Sequence, residues 1–119
     1  MGSFTRDNTE VAFSEEGVGT QHRGEGGGMV IALEQWNAGL DTAEMFAGLP
    51  DGACQEPHWG YMLNGRATVR YTDGGTETLS AGDAYYLHPG HNVHIDEDVE
   101  FVEFSRTDEG EGINSLTGS

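Results

Sequence analysis

Asn64-Gly65 stands between two runs of strand-forming residues, Pro57-His58-Trp59-Gly60-Tyr61-Met62-Leu63 before it and Arg66-Ala67-Thr68-Val69-Arg70-Tyr71 after it. Both central residues of a type I′ turn take positive φ, which Asn and Gly tolerate, so the pair predicts a tight β-hairpin. A two-residue loop fixes the register: Leu63 opposite Arg66, Met62 opposite Ala67, Tyr61 opposite Thr68, Gly60 opposite Val69, Trp59 opposite Arg70 and His58 opposite Tyr71. One face then carries His58, Gly60, Met62, Ala67, Val69 and Tyr71. The other holds Arg66, Thr68 and Arg70 beside Trp59, Tyr61 and Leu63, so the first face is the expected interior and a histidine points into the core. The outer aromatic stripe calls for cover by N-terminal strands or by a second copy of the chain, and a homodimer is expected. Trp59 opposite Arg70 predicts a cation–π contact there.

The rest of the chain reads as strands at short spacing with turn signals between them, and no window keeps a helical period over three turns. Residues 1–10 are polar and expected to be flexible, with the first ordered strand beginning at Val11-Ala12-Phe13. Met29 to Leu33 reads as a buried strand continuing toward Trp36, and Asp41 to Leu49 as a strand rather than a short helix. Turns are expected at Pro50-Asp51-Gly52, Asp73-Gly74-Gly75, Ala81-Gly82-Asp83, His88-Pro89-Gly90 and Asp96-Glu97-Asp98. The folded domain spans residues 11–106, and the Gly-, Ser- and acid-rich tail, 107–119, is expected to be mobile. With 119 residues and 35% hydrophobic content, one domain with one modest core fits. An all-β fold follows, with a single-domain antiparallel jelly-roll β-barrel as the economical architecture.

Twenty-one acidic residues face five basic ones, all arginine, for a net charge of −16. Nucleic acid and anionic membrane are disfavoured as partners, since both select a cationic footprint. The acids are dispersed and lysine is absent, a pattern that resembles proteins of salt-loving microbes; a merely soluble acidic protein is the plainer alternative. The longest apolar run is too short to cross a bilayer, and the N-terminus lacks the regions of a signal peptide. The lone Cys54 allows no internal disulfide, which suits a reducing compartment, so a cytoplasmic protein is expected.

Asn64-Gly65 closing a His-bearing strand, then Ala81-Gly82-Asp83, then His88-Pro89-Gly90, together resemble the cupin superfamily over residues 28–105. Cupins carry HxH, three or four residues, Glu, six residues and Gly, and later Gly, five residues, PxG, two residues and His. Anchored on Gly65, the first motif's Glu position holds His58, and its His positions hold Gly52 and Cys54. Anchored on Gly82, the second motif's Pro position holds His88, its Gly is Gly90 and its His position holds Val93. The usual set of three histidines and one glutamate is thus absent, and Cys54 and His58 stand in its place.

In a cupin the two motif strands lie side by side with their ligands turned inward. The resemblance therefore implies that His58 meets His91, which shares a face with Val93 and Ile95, while His94 lies on the opposite face unless a bulge resets the register. Cys54 completes a candidate metal set as a thiolate, and a Cys/His mixture selects zinc, iron, nickel or copper over magnesium or calcium. Each of these residues also has a plainer role, a hydrogen-bonded core histidine or a small buried hydrophobe. His22 and His88 are read as structural or exposed. Tyr71 and one of Tyr85 or Tyr86 are expected to line the barrel, and Tyr71 and Tyr86 are the candidate catalytic acids or bases.

Two functions fit this reading. One is a small metal-dependent cupin acting as oxygenase, lyase or isomerase on a small metabolite. The other is a non-catalytic cupin that binds a small ligand or metal as a sensor or accessory module.

Overall fold

The computed structural model describes residues 2–107; the acidic tail, 108–119, lies outside the described residues. Seven strands follow one another as β1 (Glu10–Glu15), β2 (Gly19–Gly26), β3 (Met29–Trp36), β4 (His58–Tyr71), β5 (Thr76–Ser80), β6 (Ala84–Leu87) and β7 (His91–Arg106). All their pairings are antiparallel, and they make one sheet in the order β1-β2-β3-β7-β4-β5, with β6 also on β4. This all-β architecture is as expected, but the hydrogen-bonded path is open among the described residues: β1 and β5 end it, and the sheet does not close into a barrel.

The expected hairpin does not form. His58 to Tyr71 is a single 14-residue strand that passes straight through Asn64-Gly65 and pairs with β7 along its length. None of the cross-strand pairs predicted for a hairpin exists; Met62 faces Phe101 and Ala67 faces Ile95 instead. Yet the predicted interior face is the one that is buried, with His58, Met62, Ala67 and Val69 all inside. The reason is a bulge. Between the Met62–Phe101 and Ala67–Ile95 pairs β4 advances five residues and β7 six, with the register shifting around Asn64 and Arg66. That one-residue mismatch flips the inward parity of β4 from even to odd numbers, as a two-residue turn would have done. Gly65 has φ +85°, and a Cβ there would run into the Asp98 carbonyl oxygen, so glycine serves a bulge rather than a turn.

Asp96-Glu97-Asp98, expected as a turn, is the β7 side of this bulge. Its carboxylates are occupied: the Thr68 hydroxyl donates to Asp96 at 2.6 Å, Arg66 lies 3.2 Å from Glu97, and the Ala38 amide donates to Asp98 at 2.8 Å. The segment after Asp41 is likewise not a strand. Asp41 caps a four-residue helix, α1 (Thr42–Met45), by accepting from the Ala43 amide at 2.9 Å, and Arg70 places its guanidinium on both Asp41 oxygens at 2.9 Å. This local cap and ion pair outweigh the strand propensity of the neighbours. Arg70 is therefore not on Trp59; Arg106 lies over that ring instead, 5.6 Å from its centroid.

The core is built from inward residues of β3, β4, β6 and β7, among them Trp36, Met62, Val69, Leu87, Ile95 and Val99. Trp59, Tyr61, Leu63 and Tyr86 remain exposed on the other face, and the N-terminal strands do not cover them. No helix among the described residues is long and apolar enough to cross a membrane.

Candidate metal centre and the acidic cavity beside it

Three elements converge at one end of β7. His91 is its first residue and His58 the first of β4, so each points inward where its strand begins. Cys54 arrives by a different route. The 3₁₀ turn Pro50–Gly52 redirects the chain, and Cys54 then bridges to the free edge of His91: its amide donates to the His91 carbonyl at 3.0 Å, and the His91 amide donates back at 3.2 Å. All three side chains are buried, and one ligand atom from each lies within 4.8 Å of the others. Cys54 Sγ is 3.4 Å from His58 Nε2, and the two imidazoles meet edge to face with centroids 5.2 Å apart.

The outer ring nitrogens are held. His91 Nδ1 is 2.8 Å from the His88 carbonyl oxygen, which can only accept, so Nδ1 carries the hydrogen and Nε2 keeps its lone pair. His58 Nδ1 is 2.7 Å from the Ser105 hydroxyl and 3.8 Å from Glu103 Oε2. Burial lowers both histidines to about 4, with the His88 carbonyl opposing the shift at His91. Neutral imidazoles with the inner nitrogen free are what a metal requires.

The sequence-derived set Cys54, His58 and His91 is thus assembled in one place. The other candidates are not. Tyr71 stacks on His88 at 3.8 Å and touches the His91 ring edge, but its hydroxyl is turned to Glu77 at 3.2 Å, and burial with that carboxylate raises it to about 12. Tyr86 is on the outer face against Trp59. Its neighbour Tyr85 is the one that faces in. His94 stays on the opposite face, 2.8 Å from Asp96, and His22 lies on β2 outside the cluster.

Beside the cluster is a cavity of about 60 Å³, walled by apolar side chains such as Phe46, Leu87 and Phe101 and by two carboxyls, Glu34 and Glu103. Glu34 comes from β3 and Glu103 from β7. The Trp36 indole N–H donates to Glu34 Oε1 at 2.8 Å, while Oε2 has no hydrogen-bond partner among the described residues. Glu103 accepts from the Tyr85 hydroxyl at 2.8 Å. That bond crosses β4 over Gly60, which pairs with Tyr85 on one side and Glu103 on the other; any Cβ at Gly60 would collide with the tyrosine ring. Burial and the Glu103 charge push Glu34 up to about 8, and burial pushes Glu103 up to about 7.

These two acids and Ser105 were not singled out from the sequence, and Tyr85 only as the alternative to Tyr86 for lining the interior, although a signal existed for the acids. Glu34 interrupts the apolar strand at the inward parity of Ala32 and Trp36, and Glu103 sits between inward Phe101 and Ser105. A carboxyl at a core position of a strand marks either a partnered charge or a functional site.

No family model matches the sequence, and no curated protein does. The structure is similar to oxalate decarboxylase from Bacillus subtilis, with a TM-score of 0.63 at 17% identity over 87% of this chain and 28% of that one. It is similar also to an RmlC-like cupin from Shewanella frigidimarina, with a TM-score of 0.63 at 14% identity over 89% of this chain and 90% of that one. The chain spans little more than a quarter of the oxalate decarboxylase chain. At these identities the likeness concerns the fold, and the fold is that of the cupins.

Proposed function

From the cupin fold and the three donors gathered inside it, we propose that this chain is a small metal-binding cupin acting on a small metabolite at the Cys54/His58/His91 centre. The observation that carries the proposal is the spacing of those donors, all buried and all within 4.8 Å of one another. The 3.4 Å between Cys54 Sγ and His58 Nε2 matches the edge of about 3.5 Å that two ligands of a tetrahedral ion span. Thiolate with imidazole favours zinc, iron, nickel or copper. Cys54, His58 and His91 would hold a metal with three protein ligands, the number found in catalytic sites rather than in closed structural ones. The chemistry such a metal would supply when bound is Lewis acidity. The chain's own residues orient the donors: His88 through its carbonyl, Ser105 through its hydroxyl, and Cys54 through its bridge to His91.

The reaction class is an oxygenase, lyase or isomerase on a metabolite small enough for the cavity. The confined and mostly apolar volume of about 60 Å³ also favours a second reading, a non-catalytic cupin that senses a small ligand or the metal itself. Metal analysis of protein reconstituted with zinc, cobalt, iron, nickel or copper tests the centre. Retention of metal by the wild type and its loss in His58→Ala and Cys54→Ser are expected, and a wild type that holds no metal after reconstitution overturns the proposal. Turnover of metabolites by the loaded protein, against tight binding without turnover, separates the two readings.

A further inference from the structure

We propose that the outer face of the sheet, where Trp59, Tyr61, Leu63 and Tyr86 lie exposed, binds a second copy of this chain, the patch meeting the same patch about a two-fold axis. The strand register gathers these side chains. Trp59 stands between Phe104 of β7 and Tyr86 of β6, and Tyr61 stands beside Val102 of β7, all on the face of β4 opposite to buried His58 and Met62. The Trp59 and Tyr86 rings meet with centroids 5.4 Å apart, and Arg106 lies over Trp59. One continuous apolar surface therefore crosses three strands, in place of the scattered single residues of an ordinary surface. The N-terminal segment serves another part of this face: Phe4 lies over Gly24 and Gly26 of β2, and Arg6 holds Glu100 at 2.6 Å.

Trp59 is 37% exposed, Tyr61 43%, Leu63 48% and Tyr86 48%, which amounts to about 350 Å² at some 200 Å² for each large side chain. A monomer can show that much apolar surface, so area alone names no partner. It does supply the apolar centre, a little under half, of the roughly 800 Å² that each partner gives to a stable interface. Trp, Tyr and Arg are the residues that such centres collect. Charge names the occupant. The chain carries −16, so two copies repel one another over most of their surfaces. On this face no carboxylate stands at the outward positions of β4 from Trp59 to Leu63, of β6, or of β7 from Val102 to Arg106. Glu100, the next outward position of β7, accepts from Arg6 at 2.6 Å and from Asn64 at 3.0 Å. A cationic partner would be met by carboxylates, which the chain has in abundance and this patch lacks. A second copy, equally acidic elsewhere, is the partner for which a carboxylate-free contact is required.

Sedimentation equilibrium of the metal-free full chain in molar potassium chloride, which screens the self-repulsion, tests the association. The wild type is expected as a dimer at micromolar concentrations. Tyr61→Glu and Leu63→Glu each place a carboxylate on both halves of the contact and should weaken association by roughly a hundredfold, with circular dichroism unchanged. Val11→Glu, at an exposed position of β1 outside the patch, should leave the dimer intact. A further readout needs no variant: as the wild type is diluted through dissociation, acrylamide should quench Trp59 more strongly, while Trp36, buried in the core, stays protected. A wild type that remains monomeric to hundreds of micromolar overturns the proposal. So does a dimer retained by the folded Glu variants, a dimer lost in Val11→Glu, or a dissociation that leaves quenching unchanged. Metal uptake enters none of these readings, so failure of the metal centre and failure of the interface are told apart.

Discussion

Cys54 and His91 exchange backbone hydrogen bonds at 3.0 and 3.2 Å, so a residue from an irregular loop is registered against the first residue of β7 as firmly as if it lay on a neighbouring strand. The thiol therefore has a fixed height relative to both imidazoles. Two of the three candidate ligands belong to long strands, and the third is tied to one of them.

Metal is expected to stabilise the fold through that geometry. A ligand bound only by the native state, present at a hundredfold excess over its dissociation constant, adds about 2.7 kcal/mol. Thermal unfolding in the presence of zinc should move upward for the wild type by roughly ten degrees. Cys54→Ser, which keeps the backbone bridge and replaces the soft thiolate donor with a hard, weakly binding hydroxyl, should lose most of that gain while unfolding normally without metal. An equal gain in both proteins would place the zinc elsewhere.

Gly60 lets Tyr85 reach Glu103 across β4. Gly60→Ala overpacks that crossing and is expected to cost about 1–3 kcal/mol. Denaturant titration should show the midpoint falling with the slope unchanged. Tyr85→Phe in the same background should not recover the loss, because the ring carbon Cζ that the added methyl meets stays when the hydroxyl is removed.

Stability should also fall as pH rises. Glu34 and Glu103 titrate at about 8 and about 7 in the folded chain, above the ordinary 4.5, so the folded state holds protons that the unfolded chain has already released. Their contribution is full below 4.5, declines through the window up to about 8, and is flat above it. Glu34→Gln removes part of that slope. The variant should gain on the wild type between about pH 5 and about pH 8, read as the difference of their thermal midpoints; parallel curves would show that Glu34 is ionised in the fold.

A chain at −16 with no lysine carries a self-repulsion that counterions relieve. We propose that it folds better in salt, as a protein adapted to brine does. The thermal midpoint should rise from low to molar potassium chloride, and a flat or falling midpoint would remove that reading.

The sequence disclosed the inward face of β4 but not its path. Asn64-Gly65 carries the same parity flip whether the chain turns or bulges, so hydrophobic patterning is blind to the difference; the deciding contacts, such as Asn64 with Glu100, lie 36 residues apart. His58 was legible from the inward parity of its strand, and His91 from the parity it shares with Val93 and Ile95 together with the cupin resemblance. Cys54 could be placed only by analogy, since a long-range bridge positions it. Tyr85 and Tyr86 are adjacent and chemically alike; Tyr85 turns in because it shares the face of buried Leu87 and finds space over Gly60. The segment after Asp41 was misread although its cap on Ala43 is local; the Arg70 ion pair that adds to it comes from β4, 29 residues away.

The open path of the sheet leaves β1 and β5 as rims along which another strand could add. Both are guarded by carboxylates, Glu10 and Glu15 on one and Glu77 on the other. That guard is electrical, not steric, and it works only while the acids are ionised. Acidification should make the rims adhesive, and light scattering during an acid titration should register growing assemblies before secondary structure is lost. The same charge that taxes the folding of one chain thus keeps many chains apart.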